Sequence, residues 1–377
     1  LDGTEVWHIL VGSAALRHRS PSNAPPWFLA FYQDLRVIGR RYIPDVNVHQ
    51  PAGDHSMIEK KPLITHMYSA DPSANVFNGK LYIYPSHDLD IETIDNDNGD
   101  QYAMVDYHVY EMEDMNEYPK DLGCILHLKD VPWASKQMWA PDAAEKDGKF
   151  YFYFPARDKD DIFRIGVAVA DSPAGPFKAQ PEPIKGSLSI DPCIFPDEDG
   201  KYYLSFGGLW GGQLDKWKTG TFDPEGGEPA DDQPAVCPKI ALMSDDMLEF
   251  AEKPRDIVIV DENGVPLKAG DRTRRYFEGP WMHKYNGTYY LSYSTGDTHL
   301  LVYATADNPY GPFTYRGVIL TPVLGWTTHH SIVEYKGEWY LFYHDCEMSK
   351  GVNHKRNVKF AKLEYRPDGS IVTISPN

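Results

Sequence analysis

The sequence predicts an all-β chain of five repeated sheet units set round one axis. Three observations carry that reading: five aromatic-rich strands each launched by a glycine turn, a repeat spacing that suits units of short strands, and few helical stretches. The strands read Asn78-Gly-Lys-Leu-Tyr-Ile-Tyr, Asp147-Gly-Lys-Phe-Tyr-Phe-Tyr, Asp199-Gly-Lys-Tyr-Tyr-Leu-Ser-Phe, Asn286-Gly-Thr-Tyr-Tyr-Leu-Ser-Tyr and Lys336-Gly-Glu-Trp-Tyr-Leu-Phe-Tyr. Tight hairpins need positive φ, which Asn-Gly and Asp-Gly adopt at little cost. The glycines stand at 79, 148, 200, 287 and 337, with spacings of 69, 52, 87 and 50 residues. A unit of about 50 residues built from short strands has the length of a propeller blade. The expected fold is therefore a five-bladed β-propeller.

Residues eight or nine positions before each glycine are chemically distinctive. They are Asp71, Asp191, Glu278 and His329 in repeats one, three, four and five, and the segment Trp139-Ala-Pro-Asp142 in repeat two. Equivalent positions of successive blades meet at the central axis. Three carboxylates and a histidine are thus expected to converge there, with the active site on the axis.

Along the chain, residues 1–61 read as an N-terminal extension of uncertain origin. They hold Arg17, His18, Arg19, Arg36, Arg40 and Arg41, the apolar run Pro25-Pro-Trp-Phe-Leu-Ala-Phe-Tyr, and no glycine-turn hairpin. The propeller is expected over 62–377. Blade one is followed by the acidic loop Asp88–Asp100. That loop fails the calcium-loop template, because with Gly99 at position six the first position is Ile94. Val169-Ala-Asp-Ser-Pro-Ala-Gly-Pro-Phe and Ala304-Thr-Ala-Asp-Asn-Pro-Tyr-Gly-Pro-Phe echo each other as the outer halves of two blades. The gap of 87 residues between the third and fourth turns holds an insertion over 209–239, suited to the rim of a binding site.

Composition narrows the partners. The net charge is −18 with no basic stripe, so nucleic acid and anionic membrane surfaces are poor partners. No apolar run reaches the length of a membrane helix. The 25 Tyr and 9 Trp mostly suit packing between sheets, and a minority suit stacking on sugars. Cys124, Cys193, Cys237 and Cys346 show no metal spacing and read as free buried thiols. The chain starts at Leu1 without a recognisable signal peptide, which leaves cytoplasm, periplasm or secretion open. The oligomeric state is likewise not set by the sequence.

Paired carboxylates at a cleft are what glycoside hydrolysis needs. Ser69-Ala-Asp-Pro-Ser, Trp139-Ala-Pro-Asp, Ser189-Ile-Asp-Pro-Cys-Ile-Phe, Phe277-Glu-Gly-Pro-Trp-Met-His-Lys-Tyr and His329-His-Ser-Ile-Val together resemble glycoside hydrolase family 43, in the family's order across all five blades. The β-xylosidase members are the most similar. The resemblance implies an inverting mechanism with Asp71 as general base, Glu278 as general acid and Asp191 as modulator of the acid's pKa. Inversion places base and acid about 6.5–9.5 Å apart, leaving room for water. It implies that His329 lies near a bound Ca2+, or another divalent cation, at the axis. The alternative for His329 is a hydrogen bond to a catalytic carboxylate. Arg356, in His354-Lys-Arg-Asn-Val, resembles the family's substrate-binding arginine. Trp139 and Trp210 are expected to wall the sugar pocket.

The expected activity is an exo-acting β-1,4-xylosidase on xylo-oligosaccharides. An α-L-arabinofuranosidase, or a bifunctional enzyme on arabinose-substituted substrate, is the alternative within the class. A non-catalytic carbohydrate-binding propeller is the alternative outside it. The related fructan-cleaving enzymes need an Asn-Asp-Pro-Asn-Gly motif that does not occur here, since Ala70 precedes Asp71-Pro.

Overall fold

A computed structural model describes residues 58–376, so most of the N-terminal extension, with its Arg/His patch and its apolar run, lies outside the described residues. Among the described residues, helical structure is confined to short 3-10 turns. These residues form twenty-one strands in five sheets, the number of sheets that the repeat spacing predicts.

Blade one is β1 (Tyr68–Phe77), β2 (Lys80–Asp88), β3 (Asp106–Met112) and β4 (Lys120–His127), in that order from the axis outward. In blade two, β5 (Ala134–Lys136) and β6 (Asp142–Lys146) both pair with β7 (Lys149–Asp158), followed by β8 (Phe163–Ala170) and β9 (Lys178–Ala179). Blade three is β10 (Cys193–Pro196), β11 (Tyr202–Phe206), β12 (Lys239–Leu242) and β13 (Arg255–Asp256). Blade four runs β15 (Glu278–Tyr285), β16 (Thr288–Ser294), β17 (Leu301–Ala306) and β18 (Phe313–Leu320), with β14 (Ile259–Val260) added in parallel to β18. Blade five is β19 (His330–Tyr335), β20 (Glu338–Asp345) and β21 (Asn357–Leu363).

Four of the five glycine turns are two-residue hairpins with both residues at positive φ: Asn78-Gly79, Asp147-Gly148, Asn286-Gly287 and Lys336-Gly337. That geometry matches the right-handed twist of the flanking strands. The third turn differs. Pro196 pairs with Tyr202, and a longer loop is closed by Asp197 N donating to Lys201 O at 2.8 Å.

The ring closes between blades five and one. The backbone before β1 runs along the free edge of β21, with Lys60 N donating to Phe360 O at 2.8 Å and Leu63 N to Val358 O at 2.9 Å. Ile58, Leu63 and Ile64 pack there with Phe342, Val358 and Phe360. Elsewhere aromatics fill the space between sheets, as in the packing of Tyr84, Tyr107 and Phe177 on Phe152. The four cysteines are free, but only Cys193 and Cys346 are buried, and Cys124 is exposed.

The inner strands are stitched to one another all the way round. Ser73 Oγ of blade one donates to Asp142 Oδ1 of blade two at 2.5 Å, and Ile194 N of blade three donates to Asp142 Oδ2 at 2.7 Å. Met282 N of blade four donates to Cys193 Sγ of blade three at 3.3 Å. Trp281 Nε1 donates to Ile332 O of blade five at 3.0 Å, and Ala74 N of blade one to Ser331 Oγ of blade five at 3.0 Å. Each of the five seams thus has a hydrogen bond near the axis.

Asp142 serves two seams and also accepts from Ala143 N and Asn75 Nδ2. A buried donor left without its partner costs about 1–3 kcal/mol. Asp142→Ala should therefore lower stability by about 3–5 kcal/mol, and Asp142→Asn by less, in chemical denaturation. A loss within 0.5 kcal/mol for the alanine variant would show that the stitch at Asp142 does not hold the seams.

Candidate active site

The entry to each inner strand sets the site. In blades one to four a proline follows the axial segment: Pro72, Pro141, Pro192 and Pro280. Proline has no N–H for the ladder, so pairing breaks there. β1 is irregular between Ala70 and Ser73, β15 between Glu278 and Trp281, and β6 and β10 begin only after their prolines. Asp71, Asp191 and Gly279, each just before a proline, have φ of 49°, 58° and 65°. For the two aspartates this is a strained left-handed conformation, held by the packed strands around it. In blade four the glycine takes that conformation and Glu278 stands one residue before it. A Cβ at Gly279 would lie 3.0 Å from the His329 ring, so the site needs glycine there for space as well as for φ.

One pocket results. It is lined by Asp71, Trp139, Asp191, Glu278, His329 and Arg356, together with Tyr102, Met104, Ala140, Ile190 and Thr327. Six of the seven residues expected from sequence therefore meet. Trp210 is not among the lining residues. Its ring packs edge-on against Phe277 at 5.0 Å and against Trp326 at 5.6 Å, while its Nε1 donates to Glu228. Trp139 packs on Phe163 and donates through Nε1 to Tyr102 O, which makes its ring a fixed wall.

Asp71 is surrounded by groups that favour its charge. Ser86 Oγ donates to Oδ2 at 2.5 Å and Arg356 Nη1 to Oδ1 at 3.2 Å. Its backbone N donates to His344 Nδ1 at 3.0 Å, which fixes His344 as an acceptor on that side. Burial alone would raise the Asp71 pKa, but Arg356 and the other partners outweigh it and hold the carboxyl down at about 2. Arg356 is itself clamped. Its Nε and Nη2 donate to the two oxygens of Asp88 at 2.8 and 2.9 Å, and its backbone N donates to Asp88 as well. The guanidinium lies 4.7 Å from the Tyr102 ring centre.

Glu278 and Asp191 behave in the opposite way. Burial, then the charge of Asp71, pushes Glu278 up to about 8. Burial, then the charges of Glu278 and Asp71, raises Asp191 well above the usual carboxylate range. The two titrate as a coupled pair that keeps a proton at neutral pH. Asp191 is oriented by Gly279 N, which donates to Oδ2 at 2.9 Å. His329 Nε2 stands 3.8 Å from Asp191 Oδ1, beyond hydrogen-bond length. Both ring nitrogens of His329 are buried without a hydrogen-bond partner, and burial lowers its pKa. His330 faces the other way and pairs with Ser292 Oγ at 2.5 Å, as strand alternation predicts.

Sequence reasoning missed Asp88, Ser86, His344, Tyr102 and Thr327. Asp88 ends β2 and shares no local sequence pattern with its partner Arg356, which lies 268 residues away in the chain. The one signal was the pair Ser86 and Asp88, whose alternation at the end of β2 turns both side chains to one face.

The chain matches the family model described as Glycosyl hydrolases family 43 over residues 60–371. This protein belongs to glycoside hydrolase family 43. It is accordingly a glycoside hydrolase on a five-bladed propeller. Among its relatives in the family, the xylosidase/arabinosidase 43A of Humicola insolens is 60% identical over 324 residues, covering 84% of this chain and 99% of the relative. The beta-xylosidase of Xylanibacter ruminicola is 54% identical over 309 residues, covering 81% of this chain and 97% of the relative. A solved family 43 structure from a compost microbial metagenome, a beta-xylosidase/alpha-arabinofuranosidase in complex with xylotriose in a calcium-free form, matches with a TM-score of 0.83. It is 62% identical and covers 87% of this chain and 99% of that one.

The Asp88 clamp generates a prediction for this family 43 site. Asp88→Asn should keep the fold by circular dichroism but loosen Arg356, lowering kcat/KM about 100-fold, the cost of a small misplacement near reacting groups. Unchanged kcat/KM would mean that Arg356 does not need its clamp.

Proposed function

We propose that this enzyme is an inverting, exo-acting β-1,4-xylosidase that releases xylose from xylo-oligosaccharides. The observation that carries this reading is the split within one pocket between an ionised carboxylate, Asp71, and a carboxyl that keeps its proton, Glu278. Opposite protonation of two carboxyls is what assigns base and acid in glycoside hydrolysis. Asp71 accepts a proton from water as the water oxygen attacks the anomeric carbon. The bond from that carbon to the leaving oxygen breaks, and Glu278 donates its proton to that oxygen. Asp191, coupled to Glu278, modulates the acid's pKa. Arg356 is held between Asp88 and Asp71 and lines the pocket, where its guanidinium is placed to meet sugar hydroxyls.

Exo action is supported by walls from several blades. The loop 95–102, which brings Tyr102 to the pocket wall, is pinned by Gln137 Nε2 donating to Gly99 O at 2.8 Å, Arg157 Nη2 to Asn98 O at 2.8 Å and Asn353 Nδ2 to Asp95 at 2.9 Å. Xylose specificity is supported by the names of the Xylanibacter ruminicola and Humicola insolens relatives. The second of these, and the compost enzyme, also favour α-L-arabinofuranosidase activity as a second capacity of the same pocket.

The residues at the axis also fit a hydrated divalent cation, for which Ca2+ is the candidate. Two orphaned buried nitrogens on His329, close to Asp191, are unusual unless water or an ion completes them. His329 would hold the ion through its water shell, and the ion would supply positive charge beside the three carboxylates. Chelator treatment should then lower activity and added Ca2+ restore it, whereas His329→Ala should abolish the response. A chelator-treated enzyme with full activity contradicts the cation.

The function is tested by proton NMR of xylobiose hydrolysis. Early α-xylose is expected, and early β-xylose would mean retention and remove Asp71 from the role of base. The pH dependence has a definite sign. Asp71 stays ionised down to about 2, so it imposes no loss across neutral pH. Glu278 loses its proton as pH rises through about 8, so kcat/KM should fall tenfold per unit above that value. Glu278→Gln should remove that basic limb along with most activity.

A further inference from the structure

A second cluster of reactive side chains lies on blade one, on the face of β2 that turns away from the pocket. His87 stands between Ser86, which donates to Asp71, and Asp88, which clamps Arg356. Strand alternation sends its ring to the opposite face. There His87 Nδ1 lies 2.6 Å from Asp106 Oδ1. His108 Nε2 approaches the other oxygen of the same carboxylate, Oδ2, at 3.9 Å. The two imidazole rings are 5.6 Å apart with planes at 71°. One ligand atom from each of the three residues lies within 4.8 Å of the other two. The three side chains are 16–19% exposed, so an ion from solvent can reach them.

An ion pair between His87 and Asp106 explains only part of this arrangement. At 3.9 Å the second imidazole is too far for a hydrogen bond. Donors round a tetrahedral ion with bonds of about 2.0–2.2 Å stand about 3.3–3.6 Å apart. The observed separations, 2.6 Å to one carboxylate oxygen and 3.9 Å to the other, lie either side of that spacing. The outer groups fit as well. His108 Nδ1 is buried without a hydrogen-bond partner and stands 3.7 Å from Asp121 Oδ1. Asp121 is held in turn by His66 Nε2 at 2.8 Å and by Gly123 N at 2.7 Å. A carboxylate behind a ligating histidine is the usual device for fixing its ring and tautomer, and Asp121 stands on that side of His108, short of hydrogen-bond length at 3.7 Å.

We propose that His87, Asp106 and His108 form a binding site for a transition-metal dication of the Zn2+ class, separate from the sugar pocket. Two imidazoles and one carboxylate suit Zn2+, Co2+ or Ni2+, whereas Ca2+ seeks six to eight oxygens. The ion would cross-link β2 to β3. It would thereby fix the strand end that carries Ser86 and Asp88, and through them Asp71 and Arg356. Metal at this site stiffens the pocket from behind without touching substrate.

The test is titration of the metal-free full chain with Co2+, followed by its visible ligand-field absorption, and with Zn2+ by calorimetry. The expected result is a Co2+ site that Zn2+ displaces and Ca2+ does not, distinct from any Co2+ at the axis, which Ca2+ displaces. His108→Gln should weaken it by about 100-fold or more, since even residues behind a ligand are worth 10–100-fold in affinity. Asp106→Asn should do the same, which keeps the test decisive if one variant fails to fold. His329→Gln should leave the site unchanged. An unaltered Co2+ spectrum and Zn2+ stoichiometry in folded His108→Gln or Asp106→Asn would overturn the proposal, as would absence of binding by the parent chain.

Discussion

The ring of hydrogen bonds between inner strands is the constraint on which the rest of this structure depends. A propeller has no layer beneath its axis, so its blades must hold one another there. Ser73, Asp142, Ile194, Cys193, Met282, Trp281, Ile332, Ser331 and Ala74 do this, one seam after another. In four blades the stitching begins at the residue just after the axial proline. The backbone that closes the ring is therefore the same backbone that aims Asp71, Asp191 and Glu278 inward. Residues more than 200 positions apart in sequence hold fixed positions because the seams between them cannot slip.

That rigidity allows the electrostatics of the pocket. Three carboxylates face one arginine, so their charges cannot all be balanced in a desolvated space. Arg356 is committed to Asp71 on one side and to Asp88 on the other. Among the described residues, no cation lies within hydrogen-bond reach of the remaining pair, Asp191 and Glu278, which relieves the repulsion by keeping a proton. The left-handed φ of Asp71 and Asp191 belongs to the same economy of position: the backbone is strained so that the carboxyls point where they do. A looser fold would relax both the strain and the difference in protonation.

Much of this was legible in the sequence, because repeats advertise themselves. Asn78-Gly79 and its counterparts specify hairpins by local conformational preference alone, and counting back from them located Asp71, Asp191, Glu278 and His329. The third turn was less regular than its Asp-Gly suggested, since Pro196 ends pairing early and lengthens the loop. What stayed hidden was set by contacts across the ring. Asp88 could not be read as the clamp of Arg356, nor His344 as the acceptor from Asp71 N, because neither pair shares a local pattern. Trp210 sits in a loop with little periodicity, and its place against Phe277 and Trp326 depends on the neighbouring blade. Cys124 was expected inside but lies on an outer strand, where repeat position says little about depth.

The proposed mechanism requires one pocket to hold an ionised Asp71 and a protonated partner within the Asp191 and Glu278 pair. Carbon-13 NMR of side-chain carboxyls, titrated in the substrate-free enzyme, measures this directly. At pH 6, one of the three pocket carboxyls is expected at the protonated position and should lose that resonance in Glu278→Gln, while the Asp71 resonance stays at the ionised position throughout. Full ionisation of all three carboxyls at pH 6 would contradict it.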